Sequence, residues 1–135
     1  MIICSSLMLS MGMVGCNDDL PSDPNKAILG KWMDLGTSVS PYTSRGDYME
    51  FYKHGRMSVK RKDGVVIDYT YYIRETTPED YKSTPYILHL RDLSDQYGLF
   101  RDDDNTLEFK GKRMIITKFE PIGYVGAKRT ELIKK

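Results

Sequence analysis

Between residues 65 and 73 the apolar side chains Val65, Ile67, Tyr69, Tyr71 and Ile73 fall on every second position, with Asp68 and Thr70 between them. A strand sends successive side chains to opposite faces, so this segment offers one apolar face and one mixed face. It is preceded by Lys62-Asp63-Gly64, whose Asp-Gly step supplies the positive φ that tight hairpin turns require. Before that turn, Met57 and Val59 alternate with Arg56, Ser58 and Lys60 across 56–61. Two strands of matching period joined by such a turn predict a hairpin with Met57, Val59, Ile67, Tyr69 and Tyr71 on a shared inner face.

The same period recurs along the chain. Strands are predicted over 28–35, 48–52, 86–90, 106–110, 113–119 and 124–133, with a short one over 96–101. His54-Gly55 and Lys110-Gly111-Lys112 read as turns, as do Glu120-Pro121-Ile122-Gly123 and the polar run Asp102-Asp103-Asp104-Asn105. Residues 75–85 are polar and read as a loop or one short helical turn, with Thr77 as cap and Pro78 at the first helical position. About eight strands in sequential hairpins with short connections predict an all-β fold, an up-and-down antiparallel β-barrel. The interior of such a barrel is filled by side chains or holds one small ligand.

The first sixteen residues are different in kind. The segment from Met1 to Cys16 carries no charge, and all 20 Lys and Arg and all 19 Asp and Glu follow it. It is shorter than the ~20 residues a membrane-spanning helix needs, and has the apolar length of a secretory signal. Its end, Met13-Val14-Gly15-Cys16, resembles the lipobox of bacterial lipoproteins. The resemblance implies cleavage before Cys16 and acylation of that residue. Residues 1–15 are then a signal peptide, 16–26 a lipidated tether, and 27–135 the barrel domain. Asn17, Asp18 and Asp19 resemble the acidic signal that places some lipoproteins on the cell surface; they read equally as a solvated tether. Pro21 and Pro24 extend this linker.

Gly30-Lys31-Trp32 opens the first strand and resembles the Gly-x-Trp signature of lipocalins. The resemblance implies that Trp32, the sole Trp, closes the base of the barrel. It also implies that an Arg from near the last strand packs over the indole, a role that falls to Arg129. Together with the lipobox, it implies an envelope lipoprotein of the outer membrane, facing the periplasm or the cell surface.

Candidate chemistry is sparse. The net charge of +1 gives no basic face for nucleic acid. The two Cys, Cys4 and Cys16, lie ahead of the barrel, so it has no Cys-based zinc site. His54 sits in a turn, and His89 lies opposite the apolar face of Tyr86, Leu88 and Leu90. The Asp102–Asn105 run lacks the ligand spacing of a calcium loop. No nucleophile motif, phosphate loop or dinucleotide fingerprint is present, so the expectation is a protein without catalytic residues, metal or cofactor. Ten Tyr remain, all after residue 41, and a phenol joins an apolar body to a polar tip. A small, partly hydrophobic or aromatic ligand is therefore expected in the barrel, lined by Met57, Val59, Ile67, Tyr69, Tyr71 and Leu88. The alternative is an interaction or assembly module, with an unknown protein partner, whose barrel is filled. The partner expected in either case is the membrane, through the lipid on Cys16.

Overall fold

The computed structural model describes residues 20–37, 40–80, 84–93, 102–118 and 128–135. Its strands are β1 (Gly30–Asp34), β2 (Tyr48–Tyr52), β3 (Arg56–Lys60), β4 (Val66–Glu75), β5 (Tyr86–Asp92), β6 (Asp102–Lys110), β7 (Arg113–Lys118) and β8 (Arg129–Lys134). Each strand pairs with its predecessor in antiparallel fashion, and β8 returns to β1, so eight strands close an up-and-down barrel. This is the architecture the lipocalin resemblance implies. Closure removes the strand edges that would otherwise invite aggregation. The predicted strand over 96–101 and the turn at 120–123 lie outside the described residues, as do the lipobox and Asn17–Asp19.

The hairpin pattern translates directly into register. Met57 pairs with Tyr69 and Val59 with Ile67, which sets all four on the inner face. Tyr72, one position out of phase, is 53% exposed and stacks on His89 at 4.7 Å. Val65 belongs to the turn instead of the strand and is exposed. At the β2–β3 turn, His54 and Gly55 both adopt left-handed φ values of 66° and 72°. A Cβ on Gly55 would stand 2.9 Å from the Tyr71 carbonyl oxygen, so only glycine fits there.

Two further expectations are corrected. Asp102–Asn105 is no turn: it is the first half of β6, with Asp104 opposite His89 and Asn105 opposite Leu88. Pairing with β5 along the whole run, and with Lys118 of β7 at Asn105, overrides the turn preference of Asp and Asn. The predicted linker, 16–26, also holds regular structure near its end. A short helix, α1 (Pro24–Ala27), begins within it, with the Asp23 side chain accepting from Asn25 N at 2.9 Å. Pro24 sits in the first turn, where its missing N–H costs nothing. Leu20 already packs against the core.

At the end where β1 begins, here called the base, Trp32 is fully buried. Its Nε1 donates to Ile28 O at 2.7 Å, and its ring centroid lies 6.0 Å from that of Phe109. The cation over the indole is Lys134, with Nζ 4.9 Å from the ring centroid. Lys134 Nζ also donates to Leu29 O. Lys134 is the register partner of Trp32, so the two share a face. Arg129 does not serve: it stands an odd number of residues from Lys134, so strand alternation turns it outward. There it pairs with Glu131 at 2.8 Å. Gly30 completes the motif, since a Cβ at its φ of 112° would stand 2.8 Å from Lys134 Nζ. The glycine of Gly-x-Trp makes room for the cation that covers the tryptophan.

Burial pushes the Lys134 ammonium below its ordinary value of 10.5. The unfolded chain therefore takes up this proton first as pH falls. Its contribution to stability is greatest above 10.5 and declines as pH drops through the folded value. Lys134→Met should lack this component of the pH profile in denaturation series. Lys134→Ala should cost roughly 1–3 kcal/mol, through the lost contact with Trp32 and the unpaired Leu29 carbonyl. Arg129→Ala, at an exposed pair, should stay within about 0.5 kcal/mol. Equal costs would mean that the cation over Trp32 is misassigned.

Candidate functional site

The barrel interior is graded along its axis. Trp32, Phe51 and Phe109 crowd the base, while Met49, Met57, Leu88, Leu90, Leu107 and Ile116 fill the middle. Val59, Leu88, Leu90 and Leu107 expose no surface, so no water-sized space touches them. Met57, Val59 and Leu88, expected to line a ligand cavity, are instead core residues. Among the described residues, Leu, Met and Ile facing inward from most strands leave no lumen at the waist. Ile67 is partly buried against this core.

Tyr69 and Tyr71 share the inner face of β4 but serve opposite ends. Tyr71 stands edge-on to Phe51 at 5.1 Å and donates its hydroxyl to Tyr52 O at 3.0 Å. Burial raises its phenol pKa above the ordinary 10.0. It lines an open groove of about 500 Å³ at the base, with Leu29, Lys53, His54 and Tyr72 among its walls. Tyr69 packs on the core toward the other end, the mouth, where polar side chains gather.

The mouth is built by side-chain hydrogen bonds that tie down the β1–β2 connection. Asp34 accepts from Gly36 N and from Thr43 Oγ1, each at 2.6 Å. Ser40 Oγ shares a 2.6 Å hydrogen bond with Thr130 Oγ1 and accepts from the backbone N–H of Tyr42 and of Thr43. Tyr42 OH donates to Asn105 Oδ1 at 2.9 Å, and Asn105 Nδ2 donates to Leu88 O at 3.3 Å. Asp34, Thr43, Asn105 and Thr130 are buried, and these contacts satisfy polar side chains that would otherwise be costly to enclose. The Tyr42 ring meets Tyr69 edge-on, with centroids 6.3 Å apart.

These residues frame a cleft of about 200 Å³ lined by Pro41, Tyr42, Tyr69, Asp92, Asp103, Lys118 and Lys128. Lys118 Nζ lies 3.4 Å from Asp103 Oδ1. Both project inward, because Lys118 pairs with the inward Asn105, and Asp103 with the inward Leu90. The cleft thus sets two aromatic rings beside both signs of charge. Of the residues expected to bind ligand, only Tyr69 lines it. Tyr42, Asp103, Asn105 and Lys118 were not anticipated. Inner-face parity counted back from Leu107 through Asn105 to Asp103 would have found two of them.

His89 faces outward as predicted. Its Nδ1 lies 2.7 Å from Asp104 Oδ1 and its Nε2 3.2 Å from Asp102 Oδ1. Among the described residues no group of three or more His, Cys, Asp or Glu is placed to hold a metal ion. Comparison with known proteins returns no match among protein-family models, curated proteins or solved structures.

Proposed function

We propose that this chain is a lipid-anchored lipoprotein of a Gram-negative outer membrane, whose filled lipocalin-like barrel presents a mouth cleft for non-covalent binding of a small ligand. The lipobox resemblance at Met13–Cys16 supports the anchor. The observation that carries ligand binding is the mouth itself: Tyr42 and Tyr69 beside the Asp103–Lys118 pair, held in place by the hydrogen bonds of Asn105, Ser40 and Thr130. Pre-positioned polar groups beside aromatic walls reduce the ordering cost of binding. The cleft is smaller than the ~300–1,000 Å³ sites that hold drug-sized ligands. It suits a molecule the size of one amino acid or one sugar ring. Paired charges favour a ligand with a charged or strongly polar group, with its apolar side toward the tyrosines.

The filled waist of the barrel favours a second reading, an accessory module that binds protein and no small molecule. Native mass spectrometry of the protein purified from its own host separates the two. Ligand binding predicts a co-purified small-molecule mass that Lys118→Gln loses and that Lys60→Gln, on the outer face, retains. Absence of such a mass in the unmodified protein would favour the accessory module.

A further inference from the structure

The position of Leu20 fixes how an acylated form of this barrel meets a membrane. Leu20 packs against the core and shares a groove with Pro85, Tyr86, Phe109 and Gly111. Those neighbours belong to the start of β5, the end of β6 and the β6–β7 turn, all at the base. Only Asn17, Asp18 and Asp19 separate Leu20 from Cys16. A fully extended chain covers at most ~3.6 Å per residue, so Cys16 lies within about 14 Å of Leu20. A lipid on Cys16 therefore keeps the base close to the headgroups. The mouth lies at the far end of the strands, roughly 20–25 Å further away when the barrel stands upright.

Beside the seat of Leu20, the β6–β7 turn reads Lys110-Gly111-Lys112-Arg113, and all four residues are exposed. A Cβ on Gly111 would meet nothing within 4 Å, so the space beside the tip of the turn is open. Lys26 and Lys53 are exposed at the same end. The acids there are more dispersed. Asp23 caps α1, Glu75 and Glu79 lie by the β4–β5 connection, Glu108 is on β6, and Asp18 and Asp19 lie in the tether.

We infer that the turn formed by Lys110, Gly111, Lys112 and Arg113 docks on anionic phospholipid headgroups, so that the barrel stands base-down with its mouth cleft open to water. The inference rests on acylation of Cys16, proposed above. Basic side chains beside a lipid anchor gain from the negative surface potential of the membrane, and the gain fades within a Debye length. In this orientation the cleft samples solutes from the aqueous side.

Energy transfer from the acylated full chain to headgroup-labelled lipid tests this. Ser22→Cys places a donor fluorophore at the base and Lys62→Cys places one at the mouth; the acylated Cys16 leaves each new thiol as the labelling site. The vesicles are phosphatidylcholine alone or phosphatidylcholine mixed with phosphatidylglycerol. Docking predicts stronger transfer from the base label than from the mouth label in the anionic vesicles. The difference should shrink in neutral vesicles and at high salt. Combining Lys110→Gln, Lys112→Gln and Arg113→Gln should weaken the docked state by on the order of 100-fold, at about fivefold per cation. The lipid and salt arms read the same docking without those substitutions. Equal transfer from both labels, or a base signal indifferent to lipid charge and salt while the protein still co-floats with vesicles, overturns the docking alone. A protein that fails to co-float at all overturns the acyl anchor, and the docking with it.

Discussion

Trp32→Ala should destabilise the barrel by about 3–5 kcal/mol, the usual cost of deleting a large buried aromatic. Several contacts are lost at once. The indole is fully buried, packs 6.0 Å from Phe109, donates to Ile28 O at 2.7 Å and carries Lys134 above it at 4.9 Å. The loss is a large share of the ~5–15 kcal/mol that separates folded from unfolded domains. Trp32 is the sole Trp, so urea unfolding is best followed by circular dichroism in both proteins. Trp32→Phe should recover part of the loss, and a double-mutant cycle of Trp32→Phe with Lys134→Ala should show coupling because the two side chains touch. Additive effects within error, or a loss below about 1 kcal/mol for Trp32→Ala, would remove Trp32 from its role as the base plug.

Cys16→Ser should abolish membrane attachment. One acyl chain gives only marginal binding, and stable anchoring takes a second signal. The diacylglycerol and amide-linked chain that the lipobox resemblance implies would supply more than one chain. Fractionation should find the unmodified protein with membranes and the variant either released or retained as an unprocessed precursor. Mass spectrometry of the mature protein provides the direct check, and a mature chain without an acyl adduct would contradict the anchor.

The strands were legible because their period is local. The alternation of Met57, Val59, Ile67, Tyr69, Tyr71 and Ile73, with Asp63-Gly64 between, determines both the hairpin and its inward face. The structure adds only that Val65 is spent in the turn and that β4 runs on to Glu75. Composition misled at Asp102–Asn105. Three aspartates and an asparagine favour a turn in isolation, yet pairing of all four with β5, joined by β7 from Asn105 onward, outweighs that preference once Leu107 and Phe109 are drawn into the core. The base plug was half legible. The motif marks Gly30 and Trp32, but the resemblance points to Arg129 for the cation. The register of β8 against β1 brings up Lys134 instead, and register between the first and last strands is a product of barrel closure.

The mouth was the least legible part. Tyr42 and Asn105 are 63 positions apart, and Ser40 and Thr130 are 90 apart. Their contacts arise only when the β1–β2 connection folds over a closed barrel. Apolar parity points to Met57, Val59, Ile67, Tyr69, Tyr71 and Leu88 as ligand-lining, yet parity marks core as readily as cavity. At a waist filled by Met49, Leu90, Leu107 and Ile116, the residues Met57, Val59 and Leu88 are core, while Tyr69 and Tyr71 reach the two ends. The polar residues nearer the strand ends were left to form the cleft.

Binding at the mouth is tested most directly by amide chemical-shift mapping of the isotope-labelled protein, titrated with free amino acids and with uronic acids. Shifts that saturate and cluster at Tyr42, Tyr69, Asp103 and Lys118 are the expected result. Shifts centred on Met57, Val59 and Leu88, or no response to any of these compounds, would contradict it.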